Sequence, residues 1–148
     1  MKATAVAPAN IAFIKYWGKK DAALRLPLNA SVSMNLSGAF TITTVDVASR
    51  YMADGAELID GVVSKAEKRR IIAHVDKIRE RAKSTLRVRI ATKSSFPKSA
   101  GIASSASGFA ALTVASCAAF GLKITEKEMT ILARLGSGSA CRSIPDGF

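Results

Sequence analysis

The spacing of hydrophobic positions predicts strands in the first third of the chain. Short apolar runs, and alternation of polar and apolar residues with a period of two, are patterns of half-buried strands. They predict strands at residues 4–7, 11–17, 29–36 and 40–47. A turn is predicted between the first two at Pro8-Ala9-Asn10. A slip in the alternation at Thr43-Thr44 predicts a β-bulge, Lys19-Lys20-Asp21 is a predicted polar turn, and Asp54-Gly55 is a predicted loop or hairpin turn.

The pattern becomes helical over residues 64–83. Apolar residues recur there every three or four positions, on an otherwise basic helix, at Ile71, Val75, Ile78 and Ala82. Residues 86–90 alternate again, which predicts a strand with one solvated face. Thr125, with Glu128 three residues later, forms a capping box and predicts a helix that ends near Leu135. The order strands, helix, strand, helix, helix predicts an α+β domain with a mostly antiparallel sheet and helices on one face.

Composition narrows the class of protein. A chain of 148 residues with 49% hydrophobic and 22% charged residues is expected to form one domain with its own core. Two cysteines are too few for a disulfide framework, and Cys117 is expected to be a small core residue. The N-terminus lacks the pattern of a signal peptide, so we expect a cytoplasmic location.

The net charge of +11 favours anionic partners, but it is unevenly distributed. Eleven of the 22 basic residues lie between Lys65 and Lys93, with only three acids among them. The excess of positive charge is therefore concentrated on one helix and the strand that follows it.

A charge-free run covers residues 99–122. It is rich in alanine, serine and glycine, and this composition argues against a membrane span. Its beginning belongs to a small-residue loop, residues 97–108, that leads into a helix. Such a helix start offers unpaired N–H groups and a positive dipole end to a phosphate, and Ser104 and Ser105 add hydroxyls. The alternative is a helix that merely packs tightly against the sheet.

Two further segments combine polar groups with small residues. Gly136–Ser143 adds Arg142, whose planar guanidinium suits a carboxylate or phosphate. The alternative there is a flexible turn with a solvated arginine. The segment Lys15–Lys19 has two cations and a phenol beside a glycine, which could together bind an anion. The alternative interpretation is the end of a strand with lysines on the surface. His74, the only histidine, is expected on the surface, and no cluster of residues has metal-ligand spacing.

Three segments, in this order, resemble one family. Residues 9–21 (ANIAFIKYWGKKD) and 26–33 (LPLNASVS) are similar to the N-terminal signature of diphosphomevalonate decarboxylases. Residues 96–109 resemble the phosphate-binding motif of the GHMP kinase superfamily in that enzyme's version, and Gly136–Ser143 resembles its third signature loop. The resemblance runs the full length of the chain. It implies an N-terminal GHMP kinase domain, 1–148, with the fold of the second domain of ribosomal protein S5.

The resemblance also implies an activity and a set of site residues. Family members use ATP and Mg²⁺ to phosphorylate the tertiary hydroxyl of (R)-5-diphosphomevalonate, and loss of phosphate and CO₂ then gives isopentenyl diphosphate. The ATP-binding positions carried over are Pro97, Ala100, Gly101, Ile102, Ala103, Ser104, Ser105 and Ala106, with Ser104 and Ser105 nearest the metal. The substrate-binding positions are Tyr16, Trp17, Gly18, Lys19, Ser137, Gly138, Ser139, Ala140, Cys141 and Arg142. Tyr16 and Lys19 would hold the diphosphate and Arg142 the carboxylate.

The sequence departs from the family pattern in two ways. Asp146 stands where a glycine is expected in the closing element. The family is also about twice this length, and its essential aspartate lies in the other half, so no catalytic residue is assigned here. We expect a truncated product or one part of a split protein, with little or no turnover alone and a separate C-terminal half as partner. The full-length family is expected to be homodimeric.

Other functions stay open at this point. Within the superfamily, a mevalonate 3-kinase or a phosphomevalonate decarboxylase is the nearest alternative. From a different class, a basic S5-like domain could bind RNA, but the basic stretch has no interleaved aromatic residues for base stacking. A third alternative is a non-catalytic remnant whose half-completed core recruits a partner. We therefore expect neither nucleic acid nor membrane as a partner.

Overall fold

The computed structural model describes residues 1–15, 17–59, 61–97 and 104–145. The elements in chain order are strands β1 (Lys2–Ile14), β2 (Lys19–Asp21), β3 (Leu26–Pro27), β4 (Val32–Ala48) and β5 (Gly55–Leu58), helix α1 (Lys65–Arg81), strand β6 (Arg87–Ser94), helices α2 (Ser104–Ala119) and α3 (Glu126–Gly136), and a 3₁₀ helix at Ala140–Ser143. The main sheet has the order β1-β4-β6-β5, and β2 pairs with β3 separately. Among the described strands of the main sheet, only the β5–β6 pair is parallel, which confirms the predicted α+β class with a mostly antiparallel sheet.

The helices cover one face of this sheet and form the core with it. Val45 and Val47 of β4 and Val88 and Ile90 of β6 are buried, whereas the arginines that alternate with the β6 residues are exposed. α2 contacts β1 and β4 as well as α1 and α3, and its residues are buried on most sides. Its alanine, serine and glycine side chains allow this because they occupy little volume between sheet and helices.

Both helix starts predicted from capping patterns are confirmed. The Ser64 hydroxyl accepts from the Glu67 N–H, and the Glu67 carboxylate accepts from the Ser64 N–H. Thr125 and Glu128 make the same reciprocal bonds at the start of α3. Each box satisfies two backbone donors that the first turn of a helix leaves unpaired.

Several strand predictions were wrong in detail. The predicted turn at Pro8-Ala9-Asn10 lies inside one continuous strand, β1, with only a shift of register between Pro8 and Ala9. Proline is tolerated there because β1 is an edge strand. The two predicted strands around 29–47 are likewise one strand, β4. Thr43 and Thr44 pair in regular register, so the predicted bulge is absent there. The irregularity lies at residues 37–39 instead, opposite the shift of register between Pro8 and Ala9.

Two predicted turns are strands. Lys19–Asp21 is β2 and pairs with β3. Gly55 does not close a hairpin but begins β5, which runs parallel to β6 after the crossover through α1. A four-residue strand with a glycine and an acid lacks a clear alternation, so its sequence gave little sign of a strand.

A buried carboxylate ties β6 to α1. Asp54, with its side chain 9% exposed, accepts from the Arg79 guanidinium at 2.6 Å, from Arg87 at 3.1 Å and from the backbone N–H of Val88 at 2.8 Å. Arg79 also pairs with Asp76 and donates to the Leu86 carbonyl. Because Asp54 and Arg79 are shielded from water, their pairing matters more than that of surface ions.

Cys117 is buried, as predicted, in a small cluster with Ile78 and Leu132. Burial raises the pKa of its thiol to about 11, so the neutral form is retained. Among the described residues, no helix is both long and apolar enough to cross a membrane.

Candidate functional site

A cavity of about 310 Å³ opens beside the first turn of α2. Its apolar wall is formed by Leu58, Ile71, Phe109 and Leu112, and its polar lining includes Thr41, Thr92, Ser94, Ser104 and Ser105. Glu67 and Arg70 of α1 supply the charged groups. The cavity therefore combines an apolar side with hydroxyls, a carboxylate and a cation, and the apolar side and the cation suit a ligand with both an aromatic and an anionic part.

Arg70 is the basic residue of α1 that lines the cavity. The Arg70 guanidinium lies over the Phe109 ring, 5.4 Å from its centroid. This cation–π contact holds the charge close to the cavity wall. Composition alone could not single out Arg70 among the basic residues of α1, because several of them share the helix surface.

The predicted phosphate loop is only partly described. Residues 98–103, which include Ala100, Gly101, Ile102 and Ala103, lie outside the described residues. Pro97 is exposed, Ser104 and Ser105 line the cavity, and Ala106 is buried. α2 is described from Ser104 onward, and Ser104, Ser105 and Gly108 line the cavity. The N-terminal part of α2, toward which the positive end of its dipole points, therefore lies at the cavity.

A second loop meets the same helix turn. The Ser105 and Ser137 hydroxyl oxygens are 3.2 Å apart, and those of Ser137 and Ser139 are 3.4 Å apart. Ser137 is buried and follows the last residue of α3. The structure thus brings together two serine-containing segments that the sequence separates by about thirty residues.

Arg142 lies on the 3₁₀ helix that continues this second loop. Its Nη1 donates to the Ser31 hydroxyl at 3.1 Å, and its buried Nε has no hydrogen-bond partner. Within the described ranges, Arg142 makes no ion pair. A partly buried guanidinium with an unused N–H is suited to receive a carboxylate or phosphate. Gly138, Ala140 and Cys141 complete the loop, and the Cys141 thiol donates to the Gly138 carbonyl.

Asn10 fixes the second loop to the sheet, a role that the sequence interpretation missed. Its side-chain amide donates to the Ser143 hydroxyl at 2.7 Å and to the Ser139 carbonyl at 3.1 Å. Asn10 is only 3% exposed. An asparagine within an otherwise apolar strand is a signal for such a role, because a buried amide requires partners.

The third predicted segment is less closely associated with these loops. Tyr16 lies outside the described residues. Trp17 is 81% exposed, and Lys19 is exposed on β2. Gly18 has φ +80°, and a Cβ there would lie 2.7 Å from Leu28, so this turn needs glycine. The β2–β3 turn is tied to α3, since Arg134 donates to the Leu24 carbonyl.

The prediction that His74 lies on the surface was wrong, because it is 2% exposed. Its Nε2 is 2.8 Å from the Thr113 hydroxyl, which donates to the Phe109 carbonyl. Nε2 therefore carries the ring proton, and the buried Nδ1 has no partner. The ring meets Phe109 edge to face, with centroids 5.2 Å apart. Burial, followed by the charges of Lys77 and Arg25, lowers the pKa of His74 to about 4.

Metal-binding groups are sparse in this site. In the described part of the chain, no three His, Cys, Asp or Glu side chains are grouped to hold a metal ion. Oxygen donors in the cavity lining include the hydroxyls of Ser104, Ser105 and Ser94 and the carboxylate of Glu67. This donor set fits a Mg²⁺ ion held mainly by the phosphates of a ligand, with few protein ligands.

Comparison with known proteins extends over nearly the whole chain. The family model that matches residues 7–148 describes a diphosphomevalonate decarboxylase-like N-terminal domain. The chain is 40% identical to the diphosphomevalonate decarboxylase mvd1 of Aspergillus fumigatus over an alignment 162 positions long, which covers 99% of this chain and 40% of that protein. The chain thus spans about two fifths of the length of this curated relative.

Solved structures share the fold. The mevalonate diphosphate decarboxylase of Staphylococcus aureus superposes with a TM-score of 0.90 at 41% identity, over 99% of this chain and 45% of that one. The structure of a protein named MDDEF, in complex with MVAPP, AMPPCP and magnesium, superposes with a TM-score of 0.89 at 38% identity. The match covers 97% of this chain and 44% of that one. The resemblance inferred from the three sequence segments is confirmed. The chain belongs to the diphosphomevalonate decarboxylase-like N-terminal domain family.

Proposed function

We propose that residues 1–148 form the ATP- and substrate-binding N-terminal domain of a diphosphomevalonate decarboxylase. Together with the remaining portion found in its relatives, this domain converts (R)-5-diphosphomevalonate and ATP into isopentenyl diphosphate, CO₂, ADP and phosphate. The observation that carries the proposal is the 3.2 Å contact between the Ser105 and Ser137 hydroxyls. It joins the cavity to the Arg142 loop, and phosphoryl transfer requires donor and acceptor side by side.

The cavity supports binding of the nucleotide. Its volume of about 310 Å³ and its apolar wall suit the base, while the start of α2 suits the phosphates. The Ser104 and Ser105 hydroxyls supply additional donors there. By resemblance, residues Pro97 and 100–103 complete the phosphate loop.

The second loop supports binding of the acidic substrate. The partly buried Arg142 guanidinium, whose Nε has no hydrogen-bond partner, would bind the substrate carboxylate, and Ser137 and Ser139 of the same loop would offer hydroxyls. By resemblance, Tyr16 and Lys19 hold the diphosphate. The substrate would then extend from the Arg142 loop toward β2, with its tertiary hydroxyl near the nucleotide.

The residues of this domain would act by positioning and by stabilising charge. Ser104 and Ser105 orient the phosphates, and Mg²⁺, when bound with the nucleotide, neutralises their negative charge. Arg142 fixes the carboxylate that later leaves as CO₂. The electron pair of the broken C–C bond forms the new double bond as phosphate departs from the phosphorylated tertiary carbon. The general base is assigned to the portion of the relatives beyond this match.

The test combines binding with turnover. Isothermal titration calorimetry measures MgATP and (R)-5-diphosphomevalonate binding to the chain, and release of CO₂ and ADP is followed with and without the C-terminal portion of the Aspergillus fumigatus relative. We expect binding of both ligands, little or no turnover alone, and CO₂ release in the mixture. A folded chain that binds neither ligand and releases no CO₂ in the mixture contradicts the proposal.

A matched pair of arginine variants tests the substrate assignment. Arg142→Gln should weaken diphosphomevalonate binding by about tenfold or more, because it removes a charge-assisted bond. MgATP binding should change little. Arg50→Gln, at an exposed ion pair outside the site, is the control and should leave both affinities unchanged.

A substrate panel separates the nearest alternatives. Mevalonate, its 5-phosphate and its 5-diphosphate are compared in the same assay, with ADP and CO₂ measured separately. Preference for the diphosphate, with equal amounts of ADP and CO₂, supports the proposal. ADP release without CO₂ from mevalonate indicates a mevalonate 3-kinase, and preference for the monophosphate indicates a phosphomevalonate decarboxylase.

A further inference from the structure

Three hydroxyls connect the sheet to the first turn of α2. The Thr41 hydroxyl of β4 lies 2.8 Å from that of Ser107 in α2 and 3.0 Å from that of Ser94 in β6. Thr41 is 1% exposed and Ser107 is fully buried. Thr41 is thus a buried bridge between two strands and one helix.

This bridge forms part of the wall of the cavity proposed for the nucleotide. Thr41 and Ser94 line the same cavity as Ser104 and Ser105. The Ser107 hydroxyl is also 3.4 Å from the Ser104 carbonyl, so the bridge reaches the first described residue of α2, which lines the cavity. Loss of the Thr41 hydroxyl would therefore mainly alter the position of α2 where this helix lines the cavity.

The composition of α2 makes such a bridge important. Residues 104–108 of α2 are all serine, alanine or glycine, so no large side chain in this stretch interlocks with the sheet to fix the helix along its own axis. A hydrogen bond between two buried hydroxyls is directional and specifies one position. Thr41 supplies this constraint on the sheet side.

We propose that Thr41 is a positioning residue for the nucleotide site. Its buried hydroxyl holds Ser107, and through it the first turn of α2, so that Ser104 and Ser105 face the cavity. The inference rests on the proposed function for the identity of the ligand, but not for the placement of the helix.

Thr43 provides a matched control on the same strand. It lies two residues further along β4, faces the same side and is fully buried. Its hydroxyl is 3.1 Å from that of Thr92 in β6, so this contact stays within the sheet. Thr41→Val and Thr43→Val are the same isosteric change, and only the first removes a contact to α2.

The experiment measures helix placement without ligand and affinity with ligand. Hydrogen exchange is followed at the amides of residues 108–110, which close the first turn of α2, and MgATP binding is measured by calorimetry. Thr41→Val should speed this exchange and raise the Kd for MgATP, each by about three- to tenfold, the range for one lost hydrogen bond. Thr43→Val, whose partner Thr92 lies in the cavity lining, should leave the exchange at 108–110 unchanged. Thr41→Ser, which keeps the hydroxyl, should restore both exchange and affinity. Ser107→Ala removes the same contact from the helix side and serves if Thr41→Val fails to fold.

The outcomes distinguish this inference from the proposed function. If Thr41→Val or Ser107→Ala matches Thr43→Val in both exchange and affinity, Thr41 does not position the helix and the inference is overturned. If exchange changes selectively but the wild-type chain does not bind MgATP, the placement by Thr41 is supported and the nucleotide function fails. If the thermal midpoint falls equally in both valine variants with no selective change at 108–110, the role is merely structural.

Discussion

The side-chain amide of Asn10 donates to the hydroxyl of Ser143 at 2.7 Å, which links the first strand of the sheet to the loop that carries Arg142. Because Asn10 also donates to the Ser139 carbonyl, one side chain holds both ends of the 3₁₀ helix. The geometry of the proposed substrate loop therefore depends on a residue at the opposite end of the sequence.

Replacement of Asn10 by alanine should loosen this loop. Two hydrogen bonds are lost and the buried Ser143 hydroxyl loses a donor, so the free energy of unfolding should fall by about 2 kcal/mol in urea titration. Diphosphomevalonate binding should weaken as well. Ser49→Ala, at an exposed serine just after β4, is the control and should cost about 0.5 kcal/mol or less. Equal effects of the two changes would contradict the anchoring role of Asn10.

A side chain at position 136 should be poorly tolerated. A Cβ on Gly136 would lie 2.9 Å from His74 Nδ1 and closer still to the Phe109 ring. Gly136→Ala should therefore destabilise the fold by about 1–3 kcal/mol through overpacking. Gly108→Ala, in α2 with no neighbour within 4 Å of its Cβ, should instead stabilise it by about 0.5–1 kcal/mol. Denaturant titration of both variants measures these changes in the free energy of unfolding. If Gly136→Ala leaves this free energy unchanged, α3 can move away from Phe109 and His74.

His74 should make stability depend on pH. Its pKa is about 4 in the folded chain, against 6.5 for an ordinary histidine, so the unfolded chain binds more protons between these values. The stabilisation is complete above pH 6.5 and is lost as the pH falls toward 4, by about 3 kcal/mol in total. His74→Gln, whose amide still reaches Thr113, should flatten this part of the pH profile. An unchanged slope in urea titrations from pH 4 to 7 would show that other groups cause it.

Loss of the Asp54 carboxylate charge should be costly. Asp54→Asn leaves the buried Arg79 guanidinium and Arg87 without their shared partner, so we expect a loss of about 3 kcal/mol in the free energy of unfolding. Asp46→Asn, which disrupts the exposed pair with Arg50, is the control and should have a much smaller effect. If both variants unfold at the same urea concentration, the cluster contributes no more than a surface ion pair.

The helices were predictable from local chemistry. Ser64 and Thr125 satisfy backbone donors within a single helix turn, so their capping patterns are complete in the sequence. β5 was not predictable in this way, because its pairing with β6 depends on the crossover through α1. The turn predicted at Pro8 was wrong for a related reason. A proline is tolerated in β1 because β1 is an edge strand, and the edge position is defined only by the whole sheet.

The candidate site was predictable in its parts more than in its assembly. Residues 104–105 and the loop after Gly136 were identified from small residues and hydroxyls, and the structure brings Ser105 and Ser137 together. The positions of His74 and Asn10 could not be derived, because both are determined by contacts between distant elements. A lone histidine beside an apolar stripe carries no local sign that a neighbouring helix covers it.

The small residues of α2 constrain how this domain can diverge. A helix with one solvated side accumulates substitutions on that side at little cost, whereas α2 is enclosed by sheet and helices on most of its circumference. Exchange among alanine, serine and glycine is the main neutral route open to it, since larger side chains would push the layers apart. Homologous chains should therefore drift quickly along the outer sides of α1 and α3 while this central segment keeps nearly the same volume at each position.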